Sequence, residues 1–468
     1  MKRKILSLLL AAALALPASL ALAPEVSAAD SSYNSGAVAG KSVNYVTVDL
    51  NSDVCVDMML AGNSLTSSQS VASMAQTNGA FAAINGTYFS AYEGLPVPYG
   101  CIVQDGRLLH VSGGCVGAFT ADGRFIVDRI SWEFRGWCNG NWASTPWRMN
   151  HPSEEPDSIT IFTPEYGAPV TPLAGGKAVL VDAGGKVADI VTGAFWVPAG
   201  GFAISFGPAI LSSANNYHIG DSASYTYTIK PTFTRASDWE NVKCAVGAGP
   251  SLLINGQVTA NGEAEGFTEA KIVQYAAGRS FIGATADNKV VFGNIGSATL
   301  AEAAAVCQNL GLVNAMCLDG GGSIALYYEG RVASGGRNVN NAIGFFHGLP
   351  AWKLSVTVRN QPVTFTDVKP FIDENGRTMV PLRAVGDAMG LNVSWDDSAK
   401  EAIFFDSAKN TIIFPIGNTE AKSTKGTVSM DTAAVIRDGR TFAPARYLAE
   451  FFGYTVGWDG ATRTVSIR

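Results

Sequence analysis

"SATLAEAAAVCQNLGLVNAMCLDGGGS", residues 297–323, decides how the rest of the chain is read. Its first half has the composition of a helix, with Thr299 and Glu302 at the spacing of a capping box and Gly311 placed to end it. The apolar run from Leu312 to Leu318 then reads as a buried strand. It stops at Asp319 and the consecutive glycines Gly320, Gly321 and Gly322. The same order occurs earlier: "SLTSSQSVASMAQTNG" (64–79) predicts a helix ending at glycine, and "AFAAINGTYF" (80–89) a short strand followed by a polar turn. Around these two units, residues 30–350 are rich in glycine and in short β-branched or aromatic runs. "QDGR" (104–107) and "ADGR" (121–124) sit between such runs as hairpin turns. The pattern predicts an α+β domain with few helices built around a large mixed sheet.

The chain has 468 residues and a net charge of −6. Residues 1–29 read as a secretory signal peptide: Lys2, Arg3 and Lys4 precede an apolar run that Pro17 and Pro24 interrupt, and "VSAA" (26–29) offers a cleavage site. The expected location is therefore secreted or cell-envelope associated, with no transmembrane segment after cleavage. The leader carries three cations and Glu25, so −6 becomes −8 once it is removed. That balance, with no stripe of Lys or Arg, argues against nucleic acid as a partner. Cys55, Cys101, Cys115, Cys138, Cys244, Cys307 and Cys317 form no CxxC pair, which disfavours a zinc ribbon or a thioredoxin-like site. Up to three disulfides or a set of buried thiols fit equally well.

Near residue 350 the character changes. Gly376, Arg377, Thr378, Pro381, Arg383, Gly390, Val393 and Trp395 recur 63 residues later as Gly439, Arg440, Thr441, Pro444, Arg446, Gly453, Val456 and Trp458. Each unit reads as a turn, a short helix ending at glycine, and two strands. This repeated unit resembles the stalk-type domain named after the copper amine oxidase N-terminal region. The resemblance implies a spacer or a cell-wall attachment module over 351–468, without catalysis or copper. Within 128–175, Trp132, Trp137, Trp142 and Trp147 fall close together, as an insertion whose rings either stack on sugars or close a small satellite core.

The chemistry has few carriers. There is no P-loop, no HExxH and no G-x-S-x-G elbow, and the four histidines are scattered. What remains is carboxylates, amides and arginines. Asp319 and Ser323 sit in "LDGGGSIAL", Asn85 and Gly86 in "INGTYF", and Gly249 in "VGAGPSLLINGQ". Glu265 and Glu269 precede Arg279, and Arg337 precedes Asn341 in "GGRNVNNAIGFF". Asp319 reads either as a cap on its own glycine turn or as a reacting carboxylate.

Together these stretches resemble the phosphodiester glycosidase family, whose NGG-F-F, GGGP, R-[TS]-x-I-G and LDGGGS motifs correspond to 85–89, 247–250, 279–283 and 318–323. Two departures stand out: Asn85-Gly86 is followed by Thr87 rather than a second glycine, and the GGGP motif is Gly247-Ala248-Gly249-Pro250. The resemblance spans roughly 41–347 and implies an exported hydrolase acting on a sugar-phosphate diester or polysaccharide. In that reading Asp319, Glu265 and Arg279 are catalytic. Asn85, Gly86, Gly249, Gly320, Gly321, Gly322, Ser323, Arg337 and Asn341 hold substrate. No cofactor is required and no metal site is assigned, although Asp319 could ligate a divalent cation. A non-catalytic envelope carbohydrate-binding protein and an ordinary O-glycosidase are the alternatives.

Overall fold

The computed structural model describes residues 31–50, 54–347, 354–365, 368–373, 377–437, 439–459 and 463–468; the leader and the expected boundary near 350 lie outside them. The α+β class holds, with strands far outnumbering helices, and the sheet is divided. Three sheets of residues 31–347 enclose one shared apolar core. It takes Ile282, Phe292 and Met316 from one sheet, Met58, Ile84 and Phe345 from the second, and Ile102, Phe119 and Val246 from the third. Their strand pairs are antiparallel throughout, and those between neighbours in sequence are hairpins closed by short turns.

The 297–323 stretch forms the helix Leu300–Asn309 and the strand Leu312–Cys317. The capping box is present: Thr299 N–H donates to Glu302 Oε2 (2.8 Å) and Glu302 N–H to Thr299 Oγ1 (3.3 Å). The strand Ala277–Thr285 lies between Lys289–Ala298 and Leu312–Cys317. Its alternate side chains face opposite layers: Ile282 turns to the shared core and Phe281 to Leu300, Ala303 and Cys307 on the helix.

The first unit is shorter than expected. Its helix is Val71–Asn78, capped by Ser70 at one end and by Gly79 with φ +73° at the other. Residues 64–70 do not join it because their backbone is committed elsewhere: Leu65 N–H donates to Glu165 O and Gln69 N–H to Val339 O. The strand Ala82–Asn85 follows, between Leu326–Tyr328 and Asn341–His347.

The tryptophan-rich stretch is built into the third sheet. The strand Phe125–Cys138 pairs with Ala223–Pro231 along its outer half. The chain between them forms a further sheet, Arg148–Met149, Ile159–Phe162, Phe202–Phe206, Lys177–Val181 and Val187–Val191, over Val179, Ile204, Phe206 and Tyr217. Trp132 packs on Phe134 and Tyr227 and donates Nε1–H to Ser112 O. Trp142 and Trp147 are exposed, each with an arginine over its ring: Arg135 at 4.9 Å and Arg148 at 4.6 Å.

In the C-terminal region the strands Thr378–Pro381 and Arg440–Pro444, matching positions of the two repeats, pair antiparallel with each other. The helices Leu382–Met389 and Ala445–Phe451 follow them, and Gly390 and Gly453 end those repeats' turns in the left-handed region. Both helices pack into one core around Val380, Leu382, Leu448 and Phe404. No disulfide forms among the described residues, and Cys101, Cys115, Cys138, Cys307 and Cys317 are buried thiols. Desolvation accounts for this chemical quiet, pushing Cys317 up to about 12. No described helix is long and apolar enough to cross a membrane.

Candidate active site

The two helix–strand–turn units meet at their turns. Asp319 N–H donates to Gly86 O (3.0 Å), and Asn85 Nδ2 donates to Asp319 O (2.7 Å). Asn85 Oδ1 accepts from Ser280 Oγ (2.7 Å) and Ala325 N–H (3.0 Å). This fully buried amide thus ties the first turn to the second and to the strand Ala277–Thr285. Asn341 closes the other side, with its O accepting from Gly86 N–H (3.1 Å) and its Oδ1 from Thr87 N–H (3.0 Å). Gly86 must be glycine, because a Cβ would stand 2.0 Å from Asn341 Oδ1. Gly249 arrives from the third sheet with φ +107°, its N–H on Cys317 O (2.9 Å) and its O accepting from Tyr88 Oη (2.7 Å). The site therefore lies where three sheet ends converge.

At that point Asp319 is half-buried. Burial is the largest influence on its carboxyl and pushes it from 3.8 up to about 6, against the opposing effect of hydrogen bonds from Ser323 and Gly320 N–H and of the charges on Arg337 and Lys271. The loop behind it turns through Gly321 at φ +59°. Tyr88, beside Asp319, Cys317 and Arg279, is held neutral, chiefly because burial raises its phenol well above the ordinary value.

Two cations, Arg337 and Lys271, act on the carboxyl, and a third, Arg279, is buried behind Lys271. Arg337 donates its backbone N–H to Gly322 O (2.8 Å), and its guanidinium lies between Gly322 and the ring of Tyr92, 4.8 Å from the centroid. Among the described residues it forms no salt bridge, and the carboxylate its charge acts on is Asp319. Lys271 stands on the short helix Ala270–Val273 and ion-pairs at the surface with Glu269 (2.7 Å). Arg279 is 5% exposed. Its Nε donates to Ala298 O (3.0 Å), and one Nη to Lys271 O (3.3 Å), Ile272 O (3.1 Å) and Tyr275 O (3.0 Å). It is a buried cation spent largely on carbonyls, and it fixes the segment that carries Lys271.

Glu265 also differs from expectation. Its carboxylate is fully buried and accepts from Arg129 Nη2 (2.9 Å) and Ser251 N–H (3.1 Å), with a close contact to Ser251 Oγ. A carboxylate so paired anchors the loop that carries it. The convergence thus includes Asn85, Gly86, Gly249, Gly320, Gly321, Gly322, Ser323, Asn341, Asp319 and Arg337, with Arg279 and Glu265 behind it as braces. Lys271, Tyr88 and Tyr92 complete it and were not singled out from sequence. "INGTYF" contains Tyr88, "EAKIVQYAAGR" contains Lys271 and "SAYEG" contains Tyr92, yet a lone Lys or Tyr in a loop carries no pattern. Among the described residues no cluster of three or more His, Cys, Asp or Glu could hold a metal ion.

Residues 176–346 match the family model described as phosphodiester glycosidase, and residues 357–467 match that of the copper amine oxidase N-terminal domain. The first match includes every convergent residue from Gly249 onward and leaves Asn85 and Gly86 outside. No curated protein matches the chain. Among solved structures, a hypothetical protein from Synechocystis is similar at 21% identity and a TM-score of 0.59, over 67% of this chain and 61% of that one. This chain therefore spans about three fifths of that structure. A Burkholderia pseudomallei K96243 protein described as exported is similar at 20% identity and a TM-score of 0.56, over 65% of this chain and 74% of that one. These likenesses show the fold alone. The catalytic domain of zebrafish N-acetylglucosamine-1-phosphodiester alpha-N-acetylglucosaminidase, auto-inhibited by its pro-peptide, aligns at 13% identity and a TM-score of 0.37, over 68% of this chain and 82% of that one, and carries no argument. By the two family matches, residues 176–346 are similar to the phosphodiester glycosidase family and residues 357–467 to copper amine oxidase N-terminal domains.

Proposed function

We propose that the chain is an exported glycosidase that hydrolyses a sugar 1-phosphodiester, of the N-acetylglucosamine-1-phosphodiester kind, in cell-envelope or extracellular glycans. One observation carries the reading: a single carboxyl raised to about 6 stands in a glycine cradle under the charges of Arg337 and Lys271. A phosphodiester leaving group is already a weak base, so its departure needs charge stabilisation more than a proton. That suits a site with cations and one reacting carboxyl, whereas an O-glycosidase needs a second carboxylic acid to protonate its leaving group. Arg337, with its planar fork of donors, binds the phosphate, and Lys271 adds a point charge. Asp319, ionised above its raised pKa, draws a proton from the attacking water or attacks the anomeric carbon itself. Glu265 and Arg279 brace the site.

The rival, a non-catalytic glycan-binding protein, is favoured by the ion pairs that occupy Glu265 and Glu269. Release of N-acetylglucosamine from its 1-phosphodiester, with no release from the matching O-glycoside, supports the enzyme. Glycan binding without turnover of any 1-phosphodiester would favour the rival. Gly322 offers a finer check, since a Cβ there would stand 2.4 Å from Arg337 Nη2. Gly322→Ala displaces that guanidinium and is expected to raise KM for the diester about tenfold, the worth of one charged hydrogen bond, with the melting temperature unchanged. An unaltered KM in steady-state assays would remove Arg337 from the phosphate.

A further inference from the structure

The tryptophans of the inserted stretch divide between two sides of one strand. Along the outer half of Phe125–Cys138, Trp132 and Phe134 pack inward, while Glu133, Arg135 and Trp137 alternate with them and turn to the opposite side. The partner strand Ala223–Pro231 places exposed Thr226 opposite Arg135. On the other flank the short strand Asn141–Ser144 sets Trp142 directly opposite Trp137. Three strands thus present one solvent-facing surface with two indoles side by side.

Both indoles are fixed along that surface. Trp137 donates Nε1–H to Thr226 Oγ1 on the neighbouring strand (2.9 Å), and Trp142 donates Nε1–H to Ser144 O (3.0 Å). Trp142 is 59% exposed. The guanidinium of Arg135 lies over its ring, 4.9 Å from the centroid. Among the described residues the Arg135 side chain donates no hydrogen bond and forms no ion pair. Arg148, over Trp147 in the same way, is paired with Glu155 at 3.6 Å. Glu133, the carboxylate on this side, is taken by Lys230 (2.9 Å) and feels the charge of Arg135 only after that of Lys230. The charges of Glu133, Arg135 and Lys230 leave the surface at +1, on a chain of −6.

We propose that this surface binds a polysaccharide built of uronic acids. The apolar face of one sugar ring lies on Trp137, in the layer that the guanidinium occupies over Trp142. A uronate carries its carboxylate at the edge of the ring, on the carbon next to the ring oxygen. In that layer the carboxylate meets the N–H edge of Arg135, whose planar fork suits two parallel hydrogen bonds. The local positive charge draws an acidic polymer to this side of an otherwise acidic chain. Nothing in the proposal depends on a reaction at Asp319.

The test titrates the full chain with hexagalacturonate and with its methyl ester, by calorimetry and tryptophan fluorescence. Wild type is expected to bind the acid at least tenfold more tightly than the ester. Arg135→Gln is expected to bring the two affinities together, and Trp142→Ala to weaken both at least tenfold, each with the melting temperature unchanged. Trp458→Ala, which removes an exposed tryptophan elsewhere, and Asp319→Asn are expected to leave binding intact. Absence of binding in wild type, equal affinity for acid and ester, loss of binding in Asp319→Asn, or undiminished binding by Arg135→Gln and Trp142→Ala would each overturn the proposal, whatever the chain does to a phosphodiester.

Discussion

Asp319→Asn is expected to lose sugar release by about a thousandfold or more, in the range of removing a positioned acid–base group, and yet to melt at a higher temperature than wild type at pH 8. The second half follows from burial. In the unfolded chain the carboxyl titrates at 3.8, and in the folded protein near 6. Between those values the folded state holds the proton more tightly, so stability is fully present below 3.8 and falls as pH rises through 6. Each tenfold change in proton affinity is worth about 1.4 kcal/mol, so wild type carries a penalty of up to about 3 kcal/mol at pH 8. Asparagine cannot ionise and escapes it, less whatever the Ser323 and Gly320 hydrogen bonds lose, for a net gain of about 1–3 kcal/mol. Thermal melts of both proteins at pH 4 and pH 8 check this: the gain should appear at pH 8 and vanish at pH 4. A variant less stable than wild type at pH 8 would show that the loop is built around the carboxylate as a turn cap. Such a trade of stability for a strained charge is what a reacting site costs.

Asn85→Ala has the largest expected effect on the fold. It strands three partners at once: Ser280 Oγ, Ala325 N–H and the carbonyl of Asp319, all at 2.7–3.0 Å from the amide. Ser280 keeps one contact, from Asn294 Nδ2 (2.8 Å), which softens that loss. At about 1–3 kcal/mol for each buried group left unsatisfied, the total is about 3–5 kcal/mol, a large share of a typical domain's stability. Urea unfolding should show the midpoint shifted by that amount with the slope unchanged. Asn85→Asp separates the roles. It keeps an acceptor for Ser280 and Ala325 but sets a carboxylate oxygen against the Asp319 carbonyl, so it should also lose most of its activity under conditions where it is folded. Wild-type stability in the alanine variant would mean that the two turns do not depend on this amide.

How much of this was legible in the sequence depended on whether the deciding contacts were local. The capping box at Thr299 and Glu302 is a three-residue relation, and it is present. Asn85 and Asp319 stood out because each ends an apolar strand after a helix, and that parallel anticipated a meeting their spacing of 234 residues could not prove. The ion pair of Glu265 was not legible, because its partner Arg129 is 136 residues away. The resemblance implies a catalytic Arg279, and the carbonyls that hold most of its donors come from a helix end four to eight residues upstream and from Ala298, which no local pattern announces. The helix expected from residue 64 begins at Val71, since the serine-rich run bonds to Glu165 and Val339 instead. Lys271 and Tyr92 gain meaning only from standing beside Asp319 and Arg337, and neither neighbour is close in sequence.

The central claim is that Asp319 acts in its ionised form on a sugar 1-phosphodiester. Its most direct test is the pH dependence of kcat/KM for hydrolysis of an N-acetylglucosamine 1-phosphodiester, a profile that reports groups of the free enzyme. The account predicts a plateau above pH 7 and a tenfold fall per pH unit below about 6, with a single ionisation on the acid side. A profile that is flat through pH 6, or one that rises as pH falls through it, would contradict the account.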